Sequence, residues 1–170
     1  MPPGVLRRKD REMGEAEAEA LLSQALVGRI GTVGPEGMPY VLPVSFYFDP
    51  SSQTVYLHHA TRGHLLENLA FSPSTCFEVD EPGPIVATGT TGCNIGQVYR
   101  SVICFGRATI IADRKEKEDI LRLLVDKYSR QLSTERWGAQ ELEKLDGTTV
   151  IAIKVEIMTG KQRPPIQASS

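Results

Sequence analysis

What narrows the fold most is a succession of β-forming runs with no regular alternation of strand and helix. The runs are RIGTV (Arg29–Val33), PYVLPVSFYFD (Pro39–Asp49), TVYLHH (Thr54–His59), STCFEVD (Ser74–Asp80), VYRSVICFGRATIIAD (Val98–Asp113) and TTVIAIKVEIMTG (Thr148–Gly160). All are rich in β-branched and aromatic residues, and most are bounded by Gly, Pro or Ser. A doubly wound parallel sheet needs a helix between successive strands, so this order excludes it. Six or seven mostly antiparallel strands with long connections predict a mainly β fold with peripheral helices, closed into a barrel that hides its edges.

Within that frame the prolines carry information. The turn GPEG between the first two runs makes them a hairpin. Pro43 then removes a ladder donor in the middle of an otherwise strong strand, which predicts a bulge or an edge facing something other than a strand. The stretch EPGPIVATGTTGCNIGQ (Glu81–Gln97) reads as a long loop or ragged hairpin, and Gly106 as a bulge inside the longest run.

Three segments have helical spacing. Glu15–Leu26 places Ala18, Leu21, Leu22 and Ala25 on one side, with Gly28 as a left-handed terminator. His64–Phe71 turns Leu65, Leu66 and Leu69 inward and stops at Ser72-Pro73. Lys115–Ser129 is amphipathic through Ile120, Leu123, Leu124 and Val125, and a further short helix is expected around Arg136–Leu145. The organisation predicted is an N-terminal arm over 1–14, a barrel domain over 15–160 and a tail over 161–170.

The chain has 170 residues and a formal net charge of −2, one domain's length without the basic footprint of a nucleic-acid binder. The cluster Arg7, Arg8, Lys9, Arg11 is met at once by Glu12, Glu15, Glu17 and Glu19, which makes it a solvated arm or a dimer contact. No apolar run is long enough for a membrane span, and an acidic, alanine-rich segment follows the twin arginine where an export signal needs apolar residues. The expectation is a cytoplasmic protein. Cys76, Cys93 and Cys104 are widely spaced, without a C-x-x-C pair, and read as reduced, partly buried thiols rather than metal ligands.

Familiar chemical motifs fail here. There is no dinucleotide fingerprint and no P-loop, and GTTG (Gly89–Gly92) lacks the strand-then-helix setting that would cradle a phosphate. His58 and His59 are neighbours on a strand and point to opposite faces, so they cannot share a metal ion; one is expected in the core and the other at a site edge. The segment HHATRGH (His58–His64) is different. A strand ends, a polar loop supplies Thr61, Arg62 and Gly63, and a helix begins. Free N–H groups at that helix start, the Arg62 guanidinium and the Thr61 hydroxyl together suit a phosphate, against the plain alternative of an ordinary capped loop.

These segments in their order, RRKDRE (Arg7–Glu12), GRIGTV (Gly28–Val33), PYVLPVSFYFD, VYLHHATRGHLLENL, STCFEVDE and YRSVICFGRATI, resemble the Nim-type nitroimidazole-resistance proteins. Those belong to the pyridoxamine 5′-phosphate oxidase-related, FMN-binding split-barrel group. The similarity runs from about Arg7 to Asp126, and TGK (Thr159–Lys161) recurs near the end. It implies a split β-barrel homodimer holding FMN at the interface. Pro43, Val44 and Ser45 would lie along the isoalloxazine. His58, His59 and Ala60 would flank ring and ribityl chain, with His59 a possible catalytic group. Thr61, Arg62, Gly63 and His64 would hold the phosphate, although many relatives carry lysine where His64 stands. Tyr99, Arg100 and Ser101 would complete the pocket, with Arg100 a second phosphate ligand, and Lys161 would close over it from the tail.

The activity implied is FMN-dependent electron transfer to a small aromatic or quinone-type substrate, with NAD(P)H or a protein as electron donor. The competing expectation is a flavin carrier or electron-transfer protein without turnover. A true pyridoxamine-phosphate oxidase would need a basic cluster near the C-terminus, where only Lys161 and Arg163 are available. Heme or a deazaflavin in place of FMN is the remaining cofactor alternative.

Overall fold

The computed structural model describes residues 4–87, 89, 91–132 and 146–164. Its elements are α1 (Glu15–Gln24), β1 (Gly28–Val33), β2 (Pro39–Val44), β3 (Phe46–Asp49), β4 (Thr54–Ala60), α2 (His64–Phe71), β5 (Ser74–Ala87), β6 (Ile95–Ile110), α3 (Arg114–Ser129) and β7 (Thr148–Arg163). The helix expected around Arg136–Leu145 falls outside the described residues.

The seven strands form one antiparallel sheet in the order β2-β1-β5-β6-β7-β4-β3. Its two edge strands, β2 and β3, are consecutive in the chain and joined by Ser45 alone. A sheet whose opposite edges meet at one residue must roll up, and the two edges pair with β1 and β4 rather than with each other. This is the split barrel expected from the sequence. The predicted run Pro39–Asp49 is therefore two strands, and Pro43 sits on an open edge opposite Arg29, where its missing donor costs nothing.

The barrel interior follows period-two alternation. Ile30, Phe46, Val55, Leu57, Phe77, Val79, Val102, Ile151 and Ile153 are completely buried, and the Phe46 and Phe77 rings meet edge to face with centroids 4.9 Å apart. Helix α1 covers one opening with Ala18, Leu21 and Leu22. It starts where the Glu17 carboxylate accepts from the Gly14 N–H at 3.1 Å. Helix α3 starts where the Asp113 side chain accepts from the Glu116 N–H at 2.8 Å, a strong cap. It buries Ile120, Leu121 and Leu124 against Val150. Leu121 thus takes the inward place expected of Leu123, which is 40% exposed.

Gly28 does not end α1. The helix stops at Gln24 and Ala25 is already extended. Gly28 instead opens β1 beneath the Phe77 ring, where an added Cβ would stand 2.1 Å from Cζ. The Gly106 bulge is real in position, but the register slips from Phe105–Ile157 to Gly106–Val155, so the extra residue is Glu156 on β7. Gly106 is needed for close approach, since a Cβ there would meet the Lys154 carbonyl oxygen at 2.2 Å.

The Glu81–Gln97 stretch is the ragged hairpin. Strands β5 and β6 continue past the barrel, with a register shift between Pro82 and Ile85, and leave Ile85 and Ile95 74% and 62% exposed. On the outer barrel face Val41, Gly31, Cys76, Phe105 and Ile157 are successive register partners across five strands, an apolar row with Val41 62% exposed. All three cysteines are free; Cys104 is buried, Cys76 half-buried and Cys93 exposed, so only two match the expected burial. Burial pushes the Cys104 thiol up to about 12, which leaves it inert. No helix among the described residues is long and apolar enough to cross a membrane.

Candidate functional site

The segment around the β4–α2 turn gathers most of the expected residues. Ser45 immediately precedes the pair Phe46–Leu57 and His58 follows it, which sets Ser45 level with His58. Along β2, Tyr40, Leu42 and Val44 face the core side while Pro43 is exposed on the other. Strand β4 ends at Ala60, and Thr61 and Arg62 are both exposed. Neither forms a hydrogen bond or ion pair among the described residues.

Gly63 begins α2 with φ 138 and ψ 170, backbone that favours glycine, and its carbonyl accepts from Leu66 and Glu67 at 3.0 and 3.2 Å. No side chain caps this helix. The first N–H groups of α2 therefore remain available beside a free guanidinium, which is what a phosphate dianion needs. A Cβ on Gly63 would stand 3.1 Å from His59 Cε1, so the imidazole packs directly over the turn.

Neither histidine of the pair is in the core. His58 is exposed on the face shared with Val150, and His59 is half-buried at the barrel mouth, held by contact of Nδ1 with the Ala60 carbonyl at 3.0 Å. The physical reason is that both stand on the last turn of the β4 ladder, beyond Leu57, where the barrel interior ends. The expectation of one core histidine is thus corrected.

His64 has two neighbours that its sequence context did not suggest. Its ring meets Tyr40 edge to face at 4.8 Å, and Nδ1 lies 3.8 Å from the Glu67 carboxylate. Tyr40 was findable: it shares the period-two face of Val44. Asn68 is also buried, donating to Thr32 Oγ1 at 3.1 Å, and so anchors α2 to β1. A lone amide in an apolar helix gives no such signal in sequence.

Tyr99, Arg100, Ser101 and Lys161 lie elsewhere. They face one another across β6 and β7, where Ser101 is opposite Lys161, the Ser101 hydroxyl is 3.5 Å from the Lys161 carbonyl and the Lys161 ammonium is 6.0 Å from the Tyr99 ring. Lys161 is not in a tail, because β7 runs on to Arg163. Arg100 is paired with Glu81 at 2.5 Å. His59 and Ala60, by contrast, pair with Thr149 and Thr148 at the opposite end of β7. On the order of 40 Å of extended strand separates the two groups. One copy of the chain does not bring them together.

A rolled sheet of seven antiparallel strands, split between its edges, defines the split-barrel class to which flavin-binding domains belong. The chain belongs to the pyridoxamine 5′-phosphate oxidase family, whose model matches residues 14–162. Among solved structures, a candidate 5-nitroimidazole antibiotic resistance protein from Bacteroides thetaiotaomicron is similar at 25% identity and TM-score 0.74, over 88% of this chain and 84% of that one. The flavocytochrome Anf3 from Azotobacter vinelandii superposes with TM-score 0.78 at 22% identity, over 98% and 75%. The FAD and heme binding protein from Mycobacterium smegmatis does so with 0.79 at 20%, over 95% and 77%. No curated protein matches the sequence.

Proposed function

We propose that this protein is a homodimeric, FMN-dependent oxidoreductase of the nitroreductase-like kind, acting on a small aromatic or quinone-type acceptor. The observation that carries the reading is the β4–α2 turn: an uncapped helix start, a glycine-only backbone and an unpaired Arg62, beside an edge strand whose outer side is open. These residues fit the phosphate and ring edge of a flavin. Thr61, Arg62 and the α2 N–H groups would hold the phosphate. Val44, Ser45, His58, His59 and Ala60 would line the ring and ribityl chain, with Pro43 keeping the strand edge free of a competing strand.

When bound, the isoalloxazine supplies hydride and electron transfer, chemistry that side chains cannot perform. The chain's part is to bind, orient and exclude water. His59, packed on Gly63 at the barrel mouth, is placed to hold a proton near the ring. The separation of Tyr99, Arg100, Ser101 and Lys161 from the turn favours a two-fold dimer in which each copy completes the other's site. The apolar row from Val41 to Ile157 gives such a dimer a surface to bury. Cytoplasmic location remains part of this proposal.

A second reading has support of its own. Two of the similar structures are named as a flavocytochrome and an FAD and heme binding protein, which favours electron transfer without substrate turnover, and FAD or heme as rival cofactors. The test is the visible spectrum of the purified protein, followed by release and chromatography of any chromophore. Released FMN, with NAD(P)H oxidation by a nitroaromatic acceptor above that of free FMN, supports the first reading. Released FAD or heme overturns the FMN assignment, and FMN without turnover supports the carrier.

A further inference from the structure

The β1–β2 ladder stops where a side chain enters it. Its last pair is Gly28–Val44, after which Ser45 leads the chain away to β3 and its partner β4. Pro43 has no N–H, so Arg29–Pro43 is a pair without hydrogen bonds and Gly28–Val44 a hydrogen-bonded one, since the two kinds alternate along an antiparallel ladder. The same register carried two residues further would set Leu26 opposite Phe46, with the Phe46 N–H donating to the Leu26 carbonyl. Instead the Tyr128 hydroxyl, from the last turn of α3, stands between them. Its oxygen accepts from the Phe46 N–H at 2.7 Å, and its proton goes to the Leu26 carbonyl at 2.5 Å. The Phe46 carbonyl lies 3.2 Å from the same oxygen. Next to it on α3, the Lys127 ammonium sits 4.0 Å above the centre of the Phe46 ring and donates to the Ala25 carbonyl at 2.6 Å. The end of α3 thus holds both sides of the opening, the α1–β1 link on one and the first residue of β3 on the other.

We propose that Tyr128 is a positioning residue for the flavin site. Its hydroxyl keeps the β1–β2 ladder from closing past Val44, and so holds Ser45, the residue before Phe46, along the edge where the isoalloxazine would lie. The proposal rests on the flavin reading given above. Two hydrogen bonds through a tetrahedral oxygen stand in place of one of about 2.9 Å and widen the gap by roughly 1.3 Å. Without the hydroxyl the N–H of the fully buried Phe46 has no acceptor, which a buried donor does not tolerate at low cost. The Leu26 carbonyl is the group that can serve it. The two close on each other, the ladder gains a pair, and Ser45 is drawn toward Val27. One hydrogen bond then replaces another, so the fold is kept while the ring edge is displaced.

The experiment compares the wild-type protein, Tyr128→Phe and Thr54→Val by FMN titration, by the visible spectrum of the bound flavin and by urea denaturation. Thr54→Val is the control: it too removes one hydroxyl, which donates to the Ser52 carbonyl at 2.9 Å, but at the end of β4 away from Ala60. Tyr128→Phe is expected to raise the Kd for FMN about fivefold, the low end of couplings between neighbouring elements. It is also expected to displace the visible band of the bound flavin, with a urea midpoint no lower than that of Thr54→Val. Thr54→Val is expected to keep the wild-type Kd and band.

Wild-type affinity and band in Tyr128→Phe, whatever its stability, overturn the positioning role and leave the flavin reading standing. Equal changes in Thr54→Val overturn it too, because any lost hydroxyl would then do. A wild-type protein that binds no FMN overturns the flavin reading itself, and the role of Tyr128 with it. Should Tyr128→Phe fail to fold, hydrogen exchange at the Phe46 amide of the wild-type protein, read by NMR, carries the test. Coupling is reciprocal, so saturating FMN is expected to slow that exchange by the same factor of about five; an unchanged rate overturns the proposal.

Discussion

Gly63→Ala is the sharpest perturbation of the candidate site. With φ 138 and ψ 170, Gly63 occupies a region almost closed to residues with a Cβ. Holding alanine there costs about 1–3 kcal/mol of backbone strain. The added methyl also meets His59 Cε1 at 3.1 Å, tighter than an ordinary contact, so the imidazole must yield. The chain can relieve the strain only by turning the Gly63 carbonyl away from Leu66 and Glu67, which unwinds the first turn of α2 and scatters the N–H groups a phosphate would use. Gly37→Ala is the internal control. It too has positive φ, 75, but nothing lies within 4 Å of its new Cβ and it is at the tip of the β1–β2 turn. Urea denaturation of the apoprotein should show both variants losing about 1 kcal/mol or more with unchanged slopes. FMN titration, followed by fluorescence quenching, should show Kd rising about tenfold or more for Gly63→Ala alone, equivalent to about 1.4 kcal/mol. An unchanged Kd in Gly63→Ala, or an equal loss in Gly37→Ala, would refute the phosphate role of this turn.

Other outcomes follow from the same geometry. Arg62→Ala removes an exposed, unpaired guanidinium, so thermal stability should stay within about 0.5 kcal/mol while FMN affinity falls about tenfold; equal affinity would take Arg62 out of the site. Gly28→Ala places a methyl inside the buried Phe77 ring, and its overpacking should cost about 1–3 kcal/mol in urea denaturation. Restoring space with Phe77→Leu in the same chain should recover part of that loss, and no recovery would argue against the clash. For Lys127 the folded value of about 8 lies below the ordinary 10.5. The unfolded chain therefore binds more protons between these values, and stability should rise as pH climbs from 8 to 10.5. Because the side chain is only half-buried the gain is discounted to about 1–2 kcal/mol. Lys127→Met should abolish that rise, as measured by denaturation midpoints across the window.

Much of this architecture was legible in the chain. The β-runs, the inward faces of α1, the stop at Ser72-Pro73 and the edge character of Pro43 all rest on local physics: alternation, capping and the missing proline donor. The β4–α2 turn was legible for the same reason, since a strand end, a polar loop and a helix start lie within one short segment. The errors fell where the cause was distant. Gly28 looked like a helix terminator because α1 precedes it, yet what requires glycine there is the Phe77 ring on β5. Leu123 looked inward by helical spacing, but the surface that α3 covers is set by β3, β4 and β7.

The sequence by itself determined a mainly antiparallel barrel, its three described α-helices and the strand-to-helix turn between β4 and α2, because each depends on residues close in the chain. Only the tertiary structure decided that Ser45 joins the two free edges and that Lys161 belongs to a strand. It alone put Tyr99, Arg100, Ser101 and Lys161 at the far end of β7 from His59, and it alone put Lys127 over Phe46. Those facts depend on register and on strands distant in sequence meeting around a barrel, which no local pattern encodes.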